Sequence, residues 1–111
     1  MTNYDDIARA DYKKSSASAV WWLVISSYLY YIRDYSLLTD ETFDKIAKTI
    51  LEKKIKHSKL SHLFTDEDLA AGSLFKIKPT EYPDFIREAG ERILRGVETY
   101  AIKTTQQDSI L

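Results

Sequence analysis

No cysteine occurs among the 111 residues, which excludes disulfides, thiolate metal sites and cysteine nucleophiles together and leaves packing as the source of stability. That is compatible with a reducing cytoplasm. Glycine is scarce as well, at 72, 90 and 96 only and each time isolated, so no glycine-rich phosphate cradle can form and most nucleotide-hydrolysing enzymes are excluded. An excess of one charge is also missing. Sixteen basic residues face 17 acidic ones for a net charge of −1, which argues against duplex binding by phosphate neutralisation and so against nucleic acid as a partner. What the chain has is a 44% hydrophobic content at the length of one small domain, enough for a single core.

The longest uncharged stretch runs from Ser15 to Ile32, eighteen residues at the lower limit for a membrane-spanning helix. Five serines (Ser15, Ser16, Ser18, Ser26, Ser27) and three tyrosines dilute it, so it reads as the central helix of a small bundle, buried all round. The preceding residues carry Asp5 and Asp6 where a secretory signal would be basic. A soluble, cytoplasmic protein is expected.

Periodicity points to helices throughout. Asn3 to Lys14 places Ile7, Ala8, Asp11 and Tyr12 on neighbouring positions, in a helix able to run straight into the next one. From Ala17 to Asp34, Trp21, Val24, Ile25, Tyr28 and Ile32 form a stripe that Trp22, Leu29 and Tyr30 widen. Thr39 or Asp40 then caps a helix carrying Phe43, Ile46, Ala47, Ile50, Leu51 and Ile55 on one face and Lys45, Lys48 and Lys53 on the other. Glu41 with Lys45 and Asp44 with Lys48 have the i, i+4 spacing of weak ion pairs. Residues 57–62 read as a connection, Thr65-Asp66-Glu67-Asp68 as a second cap, and Gly72 as the end of a short helix. After the break at Lys78-Pro79-Thr80, Pro83 begins a last helix with Phe85, Ile86, Ala89, Ile93, Leu94, Val97 and Tyr100. Gly90 and Gly96 weaken it by about 1 kcal/mol each unless a close helix crossing uses the missing side chains. Residues 104–111 form a polar tail that frays. No strand pattern or repeat survives, so the expected fold is all-α, a single bundle of four to five helices over residues 1–103.

Three groups invite a chemical reading. His57 and His62, with Asp66 and Asp68 beyond, have a spacing open to a metal or acid/base role, but histidines in a lysine-rich connection more commonly face solvent, and no metal site is assigned. Six lysines between Lys45 and Lys59 read as a solvated face, since arginines and interleaved aromatics are missing. The sharper constellation is Tyr30, Tyr31, Asp34, Asp40, Phe43 and Asp44. Asp40 and Asp44 lie about 40° apart on a helical wheel, beside Phe43, and face the end of the Tyr30 helix if the two helices form a hairpin. Flat aromatic faces with carboxylates suit a cationic heteroaromatic ring on a hydroxyl-rich sugar. The plainer alternative puts Tyr30 and Phe43 in the core, Asp40 as a cap and Asp44 on Lys48.

The run Tyr28-Leu29-Tyr30-Tyr31-Ile32-Arg33-Asp34, followed by Asp40-Glu41-Thr42-Phe43-Asp44, resembles the N-terminal Ia region of bacterial NAD-dependent DNA ligases. That region reads Tyr-x-Tyr-(His or Tyr)-x-x-Asp, a short loop, then Asp-x-x-Tyr-Asp. The likeness centres on a hairpin over about residues 17–55, and the remainder resembles small stand-alone ligase-related proteins of bacteriophages. The resemblance implies that Tyr30 and Phe43 sandwich a nicotinamide ring while Asp40 and Asp44 take its amide and ribose hydroxyls. Two departures stand out: Phe43 replaces the usual tyrosine, and Tyr31 stands where many ligases carry a histidine. The Lys-x-Asp-Gly nucleophile motif is absent from the chain, so it cannot ligate DNA alone.

The function expected is therefore non-enzymatic: a binding module for a nicotinamide nucleotide (NMN) or NAD-derived molecule, phage-encoded by the same resemblance, with no required cofactor. The alternative is an adaptor between host and phage proteins that keeps the hairpin as scaffold. If copies assemble, the exposed aromatics and the glycines of the last helix are the expected interface.

Overall fold

The computed structural model describes residues 4–96; Val97, Tyr100 and the polar tail lie outside the described residues. Five α-helices make up the bundle: α1 (Tyr4–Lys14), α2 (Ala17–Arg33), α3 (Asp40–Lys53), α4 (Asp66–Ala71) and α5 over 84–96. Short 3-10 turns at Ser61–Leu63 and Pro79–Glu81 complete it. No strand is present among the described residues, and the fold is all-α.

Helix α2 is the hub. Ala19, Val20 and every residue from Trp22 to Leu29 are buried, so the middle of the uncharged run is enclosed as its composition predicts, while its ends, Ser15 and Ser16 and then Tyr30 and Tyr31, are exposed. Burying Ser26 and Ser27 requires partners for their hydroxyls: Ser26 Oγ donates to the Trp22 carbonyl, and Ser27 Oγ meets the Tyr82 hydroxyl at 2.9 Å. No helix among the described residues is long and apolar enough to cross a membrane.

The other helices pack around this hub. Helix α1 does not continue into α2, because the chain breaks at Ser15 and Ser16, residues whose hydroxyls compete for backbone groups. It folds back instead, with the Trp22 indole N–H donating to Asp11 at 2.9 Å. Helix α2 ends without glycine: Asp34 adopts the left-handed conformation at φ 54°, which a short polar side chain tolerates better than most, and the N–H groups of Asp34 and Tyr35 both close on the Leu29 carbonyl. Helix α3 starts as expected, and the choice between two candidate caps falls on Thr39, whose hydroxyl accepts the Thr42 N–H. Thr65 and Asp68 form the reciprocal capping box of α4, and Gly72 ends that helix at φ 67°. The carbonyl of Pro83 accepts the N–H groups of Ile86 and Arg87, which opens α5.

Helix α5 crosses α2 at Gly90. A Cβ at that position would stand 2.9 Å from Tyr28 Cδ2 and 3.3 Å from Leu29 Cδ2, whereas at Gly96 it would meet nothing within 4 Å. One glycine of the last helix thus serves a helix crossing, and it is not available as an interface between copies. Polar contacts reinforce the junction, with Tyr28 donating to Glu91 at 3.1 Å and Arg33 to the same carboxylate at 2.7 Å. Burial, then the Glu91 carboxylate, pushes the Tyr28 phenol above its ordinary pKa.

The first turn of α3 is also tied to α1. The N–H and hydroxyl of Thr39 donate to the two oxygens of Asp5 at 3.0 and 2.8 Å, and Arg9 donates to the Thr42 hydroxyl at 3.0 Å. Partial burial opposes the Asp5 charge, but the Thr39 bonds, with Thr42 and Arg9, outweigh it and hold the carboxyl below its ordinary value of 3.8. A carboxyl whose pKa is depressed in the folded state stabilises the fold above its unfolded pKa, and this stabilisation is lost as pH falls through the folded pKa. Asp5→Asn is therefore expected to lower stability by about 1 kcal/mol at pH 6. Urea titrations over a pH series should show this difference shrinking below about pH 4, and a difference unchanged at pH 3 would count against the carboxylate.

Candidate functional site

The turn end of the α2–α3 hairpin holds a pocket. There the last two turns of α2 present Ser26, Ser27, Tyr30 and Tyr31, the connector adds Ser36, Leu37 and Leu38, and the first turn of α3 contributes Asp40 and Phe43. Gly72, just after α4, closes the far side of a pocket of about 160 Å³. Helical spacing explains the set: positions 26, 27, 30 and 31 share one side of α2, and 40 and 43 share one side of α3.

Four of the six residues singled out from the sequence, Tyr30, Tyr31, Asp40 and Phe43, line this pocket. The sequence places Tyr30 in the widened buried stripe of α2, but it is 54% exposed, because it lies on the side of the helix that faces the pocket while Tyr28 and Leu29 beside it take the core. Its ring meets the Tyr31 ring edge to face at 5.0 Å, and Tyr31 shares a hydroxyl contact of 3.0 Å with Ser73. Phe43 is half-buried and packs against the core. Asp40, displaced from the cap position by Thr39, sits exposed in the first turn of α3.

The other two residues lie elsewhere. Asp44 points to Lys48 at 2.8 Å and lies against Gly72, where a Cβ would come within 2.9 Å of Oδ1; it backs the pocket wall without lining it. Asp34 closes α2 and does not line the pocket. Ser26, Ser27, Ser36 and Gly72 were not singled out. The adjacent serines inside an apolar helix were the available signal, and in the sequence they read only as a dilution of its hydrophobicity.

Among the described residues, Asp40 is the only charged one that lines the pocket. Behind Ser27, the buried Tyr82 has its phenol pKa raised by desolvation, an effect the Ser27 hydrogen bond offsets in part. Rings, hydroxyls and one carboxylate suit a flat, polar ring of positive or neutral charge.

The remaining candidates do not join this site. Lys45 and Lys48 pair with Glu41 and Asp44 at 3.4 and 2.8 Å, both at the expected spacing. His57 Nδ1 accepts the Lys59 N–H at 3.1 Å, and among the described residues no group of three or more His, Asp or Glu is arranged to hold a metal. Phe85, expected on the apolar face of the last helix, is 37% exposed, with the Lys59 ammonium 6.0 Å from its ring centre. Compared with protein-family models, curated proteins and solved structures, the chain gives no match.

Proposed function

We propose that this protein is a non-catalytic binding module for a nicotinamide nucleotide or another NAD-derived molecule, held in the pocket at the turn end of the α2–α3 hairpin. The observation that carries this reading is the convergence of Tyr30, Tyr31, Asp40 and Phe43, drawn from two helices, on one pocket. For three of them, Tyr30, Asp40 and Phe43, the ligase-like hairpin implies contact with the nicotinamide ring, its amide or the ribose. Size agrees: about 160 Å³ is close to the roughly 150 Å³ cavity that accepts benzene and below the roughly 300 Å³ minimum typical for a drug-sized ligand. One ring enters, and the sugar stays at the mouth. The exposure of Tyr30 also favours a ligand role, since a ring kept only for the core would be covered.

Calorimetric titration with nicotinamide mononucleotide and with NAD tests the proposal. Saturable binding is expected for the native chain, weakened about tenfold or more, or about 1.4 kcal/mol, in Asp40→Asn and Phe43→Ala. Helical content should persist in Asp40→Asn, because Thr39 and not Asp40 caps α3. Absence of binding at millimolar ligand by the folded protein would reject the proposal. The adaptor reading would then take its place, favoured by the exposed rings of Tyr30, Tyr31 and Phe75, at 54, 43 and 63%.

A further inference from the structure

We propose that the pocket selects a cationic pyridinium nucleoside with an uncharged carboxamide, and that a phosphate on the sugar adds nothing to its affinity; this rests on the nicotinamide reading above and narrows it. Proton accounting at the two buried serines is the first argument. Ser26 spends its only hydroxyl proton on the Trp22 carbonyl, so towards a ligand it acts as an acceptor alone. Ser27 and Tyr82 share a 2.9 Å contact in which either hydroxyl can donate; when Tyr82, which is buried behind the pocket, gives its proton to Ser27, the Ser27 hydroxyl keeps its own to donate to a ligand. One acceptor beside one donor complements a carboxamide, whose NH₂ donates and whose carbonyl accepts. A carboxylate would instead meet the Ser26 lone pairs and the Asp40 charge.

Charge supplies the second argument. Among the described residues no lysine, arginine or histidine lines the pocket, and Asp40 is its only ion. The basic side chains closest in sequence are each paired with an acid: Arg33 with Glu91 at 2.7 Å, Lys45 with Glu41 at 3.4 Å, Lys48 with Asp44 at 2.8 Å and Lys76 with Asp68 at 3.7 Å. A phosphate leaving the pocket mouth would have to draw one of them away from its partner. The positive ring is favoured by Asp40 and by the faces of Tyr30 and Phe43, and reduction to a neutral dihydropyridine removes that attraction.

The test is calorimetry of the full chain at fixed ionic strength with nicotinamide riboside, nicotinamide mononucleotide, nicotinic acid riboside and reduced nicotinamide riboside. The first two are expected to bind within about threefold of each other, and the last two about tenfold or more weaker. In Ser26→Ala the ratio of amide to acid affinity should fall towards one while circular dichroism shows the helices intact. A mononucleotide tenfold tighter than its riboside would overturn the phosphate claim and leave the nicotinamide reading standing. Equal affinity for amide and acid ribosides would overturn the assignment of the serines. No binding by any of the four at millimolar concentration would overturn both this inference and the reading beneath it.

Discussion

Gly90→Ala is expected to destabilise the fold by about 1–3 kcal/mol, the range for overpacking a tight core, although alanine is the better helix former by about 1 kcal/mol. The two effects oppose each other, and the contact distances decide between them. A Cβ at 90 would stand 2.9 and 3.0 Å from two ring carbons of Tyr28, and that ring is 5% exposed with its hydroxyl tied to Glu91. It cannot swing aside without breaking that bond or lifting α5 from α2. Gly96→Ala is the control, because nothing lies within 4 Å of a Cβ there. It should be neutral or stabilising by up to about 1 kcal/mol. Thermal unfolding of both variants measures the contrast, and equal melting temperatures would show that the crossing at Gly90 is looser than described.

Leu29→Ala should cost more, about 2–5 kcal/mol, as is typical for removing a buried leucine. Leu29 is 0% exposed and contributes twice. Its side chain fills the contact with α5 beside Gly90, and its carbonyl accepts the two N–H groups that close α2. The substitution removes only the side chain, so the helix end survives while a cavity opens at the crossing. For a domain of this size each kcal/mol shifts the melting temperature by about 4–8 °C. A shift below about 5 °C, corresponding to roughly 1 kcal/mol, would mean that α5 relaxes into the space.

Read together, the two substitutions probe the same crossing from opposite sides, one adding volume and one removing it. The pocket at the end of the hairpin depends on that crossing only indirectly. Its walls come from α2, the connector, α3 and the residue after α4, and α5 holds α2 in place through Tyr28, Leu29 and Glu91.

Most of the helices could be read from residue order because their causes are local. Apolar spacing of three and four, a hydroxyl cap three residues ahead of its N–H partner, and a glycine in the left-handed region all act within one or two turns. Thr39, Thr65 and Gly72 do what such residues do in any helix. Ambiguity remained wherever two neighbours could play one part. Thr39 and Asp40 are both capping residues, and Thr39 is further fixed by Asp5, 34 positions away.

The site was legible in part for a related reason. Residues on one helix keep their mutual spacing whatever the tertiary arrangement, so Tyr30 with Tyr31, and Asp40 with Phe43 and Asp44, share a side of their helices in the sequence, and all of these but Asp44 line the pocket. Which side of each pair faces the core, a helix neighbour or open space is set by packing. That is why the exposure of Tyr30, the pairing of Asp44 with Lys48 against Gly72, and the separation of Asp34 from the pocket emerge only in three dimensions.

Periodicity and composition were thus sufficient for the all-α class, the central buried helix and the Thr65 and Gly72 caps of α4, since each depends on hydrogen bonds and side-chain spacing within a short segment. The use of Gly90 and the closing of the pocket by Gly72 were beyond their reach. Each depends on distances between residues far apart in the chain, such as Tyr28 and Glu91, 63 positions apart, and only the packing of the helices sets those distances.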